Sequence, residues 1–137
     1  MGSAQEIVVG FGEGKRVHAQ VGKHLVQTDQ PQPYGEDSAP APFSLFLASL
    51  ATCAGFYVLS FCQKREIPTD GIRVRQRVET DPETGVLSHV ALDVELPADF
   101  PEKYREAVLR TVDQCAVKRA IQAQPTFQVR AVAPTGS

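Results

Sequence analysis

Residues 40–68 read PAPFSLFLASLATCAGFYVLSFCQKREIP, and this stretch decides the fold of the chain. It carries no charged side chain between Phe43 and Cys62. Pro42 suits the first turn of a helix, where its missing N–H costs nothing, and Pro68 stops the helix from continuing. The stretch therefore predicts one long helix over 42–66 that is apolar on every side.

A helix of this length could also cross a lipid bilayer. The other segments of the chain, however, have apolar faces that need covering, and polar side chains dilute the helix itself. We therefore expect a core helix and no contact with a membrane. One sheet face cannot bury all sides of such a helix in a chain of 137 residues, so the surplus apolar surface indicates an obligate dimer. The diluting polar residues include Ser44, Ser49, Thr52 and Ser60.

Short segments that alternate between apolar and polar residues surround this helix, which predicts strands. The connections between the first strands are too short to join parallel neighbours, so these strands form an antiparallel meander. Together the segments predict an α+β fold with antiparallel sheets around a long central helix, in a single domain over 1–137. The predicted segments are the meander at 5–30, a proline-rich loop at 29–41, a hairpin at 70–97, an amphipathic helix at 101–124 with a break near 113–115, and a last strand at 126–132.

Composition excludes several classes of protein. The net charge of -2 and the absence of long basic runs argue against nucleic-acid binding. Three cysteines, without a CxxC pair, do not make a disulfide framework and suit a reducing compartment. His18, His24 and His89 are scattered, so we expect no metal site. The N-terminal residues lack the pattern of a signal peptide, and a cytoplasmic location is expected.

The cysteines are the candidate reactive groups. Cys53 and Cys62 would lie on opposite faces of the central helix, about 13 Å apart along its axis. A disulfide needs Cα atoms within about 7 Å, so either cysteine could pair only with Cys115. The alternative is that all three thiols only pack, as buried cysteines often do. Cys62 is interpreted as such a packing residue.

Cys53 lies about three turns inside its own helix, beyond the reach of that helix's dipole. A reactive Cys53 would therefore need a nearby cation to lower the pKa of its thiol. The candidate cations are Arg16, Lys118 and Arg119, or a residue from a second subunit.

Two motifs resemble those of one known family. Residues 35–42 (GEDSAPAP) and 45–53 (LFLASLATC) resemble the GEDxGPsPxELLLAALGxC signature of the OsmC/Ohr family, the osmotically inducible and organic hydroperoxide resistance proteins. Residues 113–119 (DQCAVKR) resemble the second motif of that family, which is usually Cys-Pro-Val followed by a basic residue. The order of predicted elements is similar over about residues 5–133.

The resemblance implies an OsmC-like fold that forms an intertwined homodimer, with its sites at the subunit interface. It also implies a thiol-dependent peroxidase in oxidative-stress defence, which needs no cofactor. By that analogy Cys53 attacks the hydroperoxide and becomes a sulfenic acid, and Cys115 resolves it as a disulfide that an external thiol reduces. Weaker supporting roles fall to Arg16, Glu36 and Ser44.

The chain departs from the family pattern at three places. Phe43 and Ser44 stand where many members have a glutamate at the start of the central helix, and Glu13 stands where the peroxidase branches have an arginine. Ala116 replaces the proline of the second motif, which is a milder change. The first two departures favour an alternative function, in which a non-peroxidase of the same fold binds or senses a small apolar or thiol-reactive compound at the dimer interface.

Overall fold

The computed structural model describes residues 5–134, and its contacts group into two units, residues 1–49 and residues 50–137. Two antiparallel sheets and one long helix confirm the predicted α+β class. That the two units make up a single domain stays a prediction. The elements are β1 (Ile7–Phe11), β2 (Val17–Val21), β3 (His24–Thr28), α1 (Pro42–Lys64), β4 (Arg73–Thr80), β5 (Leu87–Glu95), a 3₁₀ turn (Glu102–Tyr104), α2 (Arg105–Val112) and α3 (Ala116–Gln122).

The first unit contains the three-stranded meander, in which β2 pairs with β1 on one side and with β3 on the other. The turn between β1 and β2 is closed by the amide of Gly12, which donates to the carbonyl of Arg16 at 2.9 Å. Gly14 and Gly22 have φ of 62° and 58°, a conformation that favours glycine because it has no Cβ. The turn residues therefore set the antiparallel pairing that the sequence predicts.

The loop after β3 is held by one buried carboxylate. Asp29 is 1% exposed and accepts hydrogen bonds from the amide of Gln30 at 2.8 Å and from the amide and hydroxyl of Ser38 at 3.1 and 2.6 Å. The hydroxyl of Ser38 and these amides lower the pKa of Asp29 to about 2. Gly35 passes so close to Gln30 that a Cβ would lie 2.5 Å from its carbonyl oxygen. Hydrogen bonds to the Asp29 carboxylate thus fix the conformation of the long proline-rich loop.

The core of the second unit forms along one face of α1. Its buried residues, from Leu50 onward, recur at spacings of three and four, as expected for one helix face. Burying an aliphatic or aromatic side chain of this size contributes about 1.5–3 kcal/mol. The core cluster consists of Ala54, Val58, Phe61, Cys62, Phe100, Val108 and Val112. Ile72 just before β4, Val74 of β4, and Leu92 and Val94 of β5 pack against it.

The hairpin of β4 and β5 turns at Asp81, whose carboxylate accepts from the amides of Glu83 and Thr84 at 2.8 and 3.2 Å. Two ion pairs cross its outer face, Arg75–Glu95 at 2.8 Å and Arg77–Asp93 at 2.7 Å. The apolar side chains on the opposite face of the hairpin pack against the core.

The C-terminal region has the expected break and corrects one prediction. The helix expected over 101–124 is divided near 113–115, because Cys115 has φ −52° and ψ 122°, which is extended backbone that ends one helix before the next begins. The strand expected over 126–132 is not formed, since residues 125–134 carry no helix or strand. A strand needs a neighbour to satisfy its backbone groups, and the side chains of Phe127 and Val129 are 89% and 96% exposed.

Among residues 5–134, α1 is the one helix long and apolar enough to cross a membrane, with a mean hydropathy of 1.9 over its most apolar window. Length and composition alone do not separate such a helix from a core helix. The buried face that carries Ala54 and Val58 favours the core helix.

Candidate active site

Cys53 lies on α1, three residues after the buried Leu50, and is only partly buried. Cys62, nine residues further along the same helix, is completely buried in the core cluster. Burial raises the pKa of the Cys62 thiol, although the nearby Arg65 opposes this effect. The two thiols of α1 therefore differ in access and in ease of ionisation, and Cys53 is the more accessible of the two.

Cys115 lies at the corner between α2 and α3 and is completely buried. Its extended backbone places it at the N-terminal boundary of α3, yet its side chain makes no capping hydrogen bond to that helix. Instead its thiol donates a hydrogen bond to the sulfur of Cys53. Of the two pairings that the sequence left open, the structure brings together Cys53 and Cys115, and both thiols are free.

The pKa values of the two thiols are shifted in opposite directions. The hydrogen bond from Cys115 lowers the pKa of Cys53, as do the backbone amides of Val117 and Ala116, while partial burial opposes them. Burial raises the pKa of Cys115, and so does its hydrogen bond to Cys53, while the amides of Lys118 and Val117 oppose them. Cys53 is thus the more readily ionised thiol of the pair.

The groups that lower the pKa of Cys53 within this chain differ from the candidate cations Arg16, Lys118 and Arg119. Within the described part of the chain, the groups that lower its pKa are the Cys115 thiol and two backbone amides, and no cation is among them. Lys118 is paired with Asp113 at 2.7 Å instead. The two amides can lower this pKa because the first amides of a helix lack partners within that helix and can donate to an anion. The sequence excluded the dipole of α1 as the group that activates Cys53, and the amides that lower its pKa belong to a different helix, α3.

Arg16 and Glu36, both in the first unit, form an ion pair at 2.5 Å. Arg16 also donates to the hydroxyl of Ser38 at 3.1 Å, and Ser38 is bound to the buried Asp29. Asp29 thereby fixes the position of this pair. Ser44 lies exposed in the first turn of α1. The structure thus joins two of the three residues predicted to have supporting roles.

A cavity of about 580 Å³ lies in the second unit and is lined mainly by aliphatic side chains. Leu50 contributes to it from α1, one turn before Cys53, and Val112 and Asp113 contribute from the segment just before Cys115. Lys118 provides its one cationic side chain among the described residues. The remaining lining residues are Leu87, Val90, Leu92, Val94, Leu109, Ile121 and Gln122.

Sequence reasoning missed the amides of Ala116 and Val117 and the ion pair between Asp113 and Lys118. A signal for the amides was present, because alanine at the position after Cys115 has an N–H that proline would lack. Across residues 5–134, no group of three or more histidine, cysteine, aspartate or glutamate residues is arranged to hold a metal ion.

Comparison with known proteins identifies the family. The OsmC family model, described as OsmC-like protein, matches residues 35–130, which include both cysteine motifs. No curated protein sequence matches the chain.

Solved structures share the fold at low sequence identity. An OsmC-like protein from Mycoplasma pneumoniae has a TM-score of 0.70 and 15% identity, covering 90% of this chain and 91% of that one. A protein from Psychrobacter arcticus described as an osmotic stress induced and detoxification response protein has a TM-score of 0.70 and 20% identity, covering 88% and 89%. The organic hydroperoxide resistance protein OhrB of Bacillus subtilis has a TM-score of 0.54 and 16% identity, covering 89% and 93%. The family match over most of the chain, together with this fold, shows that the protein belongs to the OsmC family.

Proposed function

We propose that the protein is a thiol-dependent peroxidase that reduces organic hydroperoxides in oxidative-stress defence. The observation that carries the proposal is the hydrogen bond from the Cys115 thiol to the Cys53 sulfur, which lowers the pKa of Cys53 and raises the pKa of Cys115. Membership of the OsmC family and the fold shared with an organic hydroperoxide resistance protein support it.

The proposed reaction uses the more readily ionised thiol first. The Cys53 thiolate attacks the terminal oxygen of the hydroperoxide, the O–O bond breaks, and the alkoxide takes a proton from solvent to leave as the alcohol. Cys53 is then a sulfenic acid. The Cys115 sulfur attacks it, a disulfide forms and water leaves. An external dithiol supplies the two electrons that restore both thiols.

The cavity supports an organic substrate. Its aliphatic lining would hold the alkyl part of a hydroperoxide, and its wall includes Leu50, three residues before Cys53, and Asp113, two residues before Cys115. Hydrogen peroxide has no apolar part to bind there. We therefore expect a higher kcat/KM for cumene hydroperoxide or a long-chain alkyl hydroperoxide than for hydrogen peroxide.

Arg16, Glu36 and Ser44 are proposed as supporting residues. The ion pair between Arg16 and Glu36, fixed through Ser38, supports a role for the first two. The resemblance expects an arginine at the position of Glu13. The chain would instead use Arg16, three residues later. Replacing Arg16 by methionine tests this, because a supporting role requires kcat/KM for hydroperoxide to fall.

A homodimer is part of the proposal. The described residues expose many large apolar side chains, among them Phe11, Phe56, Phe127 and Val129 at 61–96% exposure. Such a surface is unusual for a monomer in water, and a second copy of the chain would cover it. The three free thiols suit a cytoplasmic location, where they stay reduced.

The experiment measures consumption of cumene hydroperoxide in the presence of a dithiol. We expect turnover by the wild type, none by Cys53→Ser, and wild-type turnover by Cys62→Ala, which serves as the control for loss of a thiol on the same helix. Equal consumption by the wild type and Cys53→Ser would contradict the proposal.

A second candidate function is supported by the same cavity. A non-peroxidase would bind a small apolar or thiol-reactive compound there and use Cys53 to capture or sense it. Phe43 and Ser44, which replace the expected glutamate, favour this candidate. It predicts thermal stabilisation by such compounds without any consumption of hydroperoxide.

A further inference from the structure

Two free thiols lie side by side where α1 meets the corner between α2 and α3. The thiol of Cys115 donates to the sulfur of Cys53, so the two sulfur atoms are in direct contact. Cys53 is partly exposed, whereas Cys115 is completely buried. The third thiol, that of Cys62, is enclosed in the core cluster. A reagent from solvent therefore reaches Cys53 first and can then bridge to Cys115.

A pair of adjacent thiols is a chelating group for soft atoms, because sulfur ligands select soft centres over hard ones. Binding by the second thiol is intramolecular, so the pair binds far more tightly than either thiol alone. Structural zinc, by comparison, takes four protein ligands. In the part of the chain that the structure describes, no third histidine, cysteine, aspartate or glutamate joins the pair in a group that could hold a metal ion. The pair therefore suits a soft centre that takes two protein sulfurs and brings its remaining substituent with it.

The cavity beside the pair fits an apolar substituent. Its volume is about 580 Å³, and most of its lining side chains are aliphatic. Leu50 lines it three residues before Cys53, and Val112 and Asp113 line it just before Cys115. A hydrocarbon group that enters this cavity removes apolar surface from water on both sides of the contact. The thiol pair and the cavity together favour an organic ligand over an inorganic ion.

We propose that Cys53 and Cys115 are also a chelating site for trivalent organoarsenicals, in which one arsenic atom carries an apolar substituent and two hydroxyl groups. The Cys53 sulfur displaces the first hydroxyl group, and the Cys115 sulfur displaces the second. Each arsenic–oxygen bond is replaced by an arsenic–sulfur bond, each thiol proton leaves with a hydroxyl group as water, and arsenic stays trivalent. This activity goes beyond the peroxidase and gives a ligand class to the second candidate function.

The test titrates the reduced protein with phenylarsine oxide, which in water carries one phenyl group and two hydroxyl groups, and follows binding by intact-protein mass spectrometry. We expect one arsenical per chain and protection of Cys53 from iodoacetamide. Cys115→Ser should bind at least about 100-fold more weakly, because it loses the intramolecular second bond. Cys53→Ser, which keeps Cys115, should lose at least as much affinity. Cys62→Ala is the matched control and should bind like the wild type.

A second arm of the experiment tests the cavity. Leu109 lines it and is 47% exposed, so Leu109→Asn makes the lining more polar without opening the core. The preference for phenylarsine oxide over arsenite should fall about three- to tenfold in this variant, because less apolar surface is buried. Leu59→Asn is the control, since Leu59 is 40% exposed on α1 and does not line this cavity. It should keep the wild-type preference.

The proposal would be overturned by a wild type that does not bind phenylarsine oxide, by wild-type affinity in Cys115→Ser or Cys53→Ser, or by loss of binding in Cys62→Ala. An equal change of preference in Leu109→Asn and Leu59→Asn would overturn the role of the cavity. No peroxide is present in any of these measurements, so the two activities can fail separately. Arsenical binding without hydroperoxide turnover would support this site and contradict the peroxidase, and turnover without binding would do the reverse.

Discussion

The thiol of Cys115 donates a hydrogen bond to the sulfur of Cys53, and this contact joins the corner between α2 and α3 to the middle of α1. It is the largest single cause of the lowered pKa of Cys53. The same hydrogen bond helps to raise the pKa of Cys115. One contact thus makes Cys53 easier to ionise and Cys115 harder to ionise, although both residues are cysteines.

Replacing Cys115 by alanine removes this donor, so the pKa of Cys53 should rise. A hydrogen bond to a charged group contributes about 1.5 kcal/mol or more, so alkylation of Cys53 at pH 7 should slow by about tenfold. Cys115→Ser keeps an O–H donor in the same place, so the alkylation of Cys53 should slow much less in this variant. Equal rates for the alanine variant and the wild type would show that the contact does not activate Cys53.

Ala116→Pro removes one amide hydrogen that acts on Cys53 and little else. Proline is well tolerated in the first position of a helix, and the extended backbone of Cys115 suits a residue that precedes proline. The pKa of Cys53 should rise, by less than in Cys115→Ala because the amide of Ala116 is a smaller cause. The control is Ala116→Ser, which keeps the N–H and should alkylate at the wild-type rate. Faster alkylation of the proline variant would contradict this assignment.

Asp29 should make stability depend on pH in the acid range. Its pKa of about 2 lies below the usual 3.8, so its carboxylate stabilises the fold above about pH 4, and this contribution is lost as the pH falls towards 2. In Asp29→Asn the fall of Tm between pH 4 and pH 2 should be shallower, and Tm at pH 7 should be lower. Asp37→Asn, an exposed change in the same loop, should leave the profile unchanged.

The C-terminal residues test the proposed homodimer. Val129 is 96% exposed, and an aspartate there would place a charge in any interface that covers it. Sedimentation should find the wild type and Val129→Ile dimeric at micromolar concentration, and Val129→Asp shifted towards monomer. A wild type that sediments as a monomer would contradict the dimer.

The sequence was sufficient to predict the long helix, the meander and the hairpin, because each depends on local patterning and on glycine or proline at the turns. It also singled out Cys53 and Cys115. The amides near Cys53 were harder to predict, since backbone amides carry no side-chain signature and the alanine that follows Cys115 was their one signal in the sequence. The strand predicted over 126–132 is not formed for a similar reason. Alternating apolar and polar residues indicate a strand, but they do not identify the neighbouring strand with which it would pair.

The most direct test of the central claim is a count of free thiols after one equivalent of cumene hydroperoxide, followed by mapping of the disulfide by mass spectrometry. The account predicts the loss of two of the three thiols, a disulfide between Cys53 and Cys115, and a free Cys62. Retention of all three thiols, or a disulfide that contains Cys62, would contradict it.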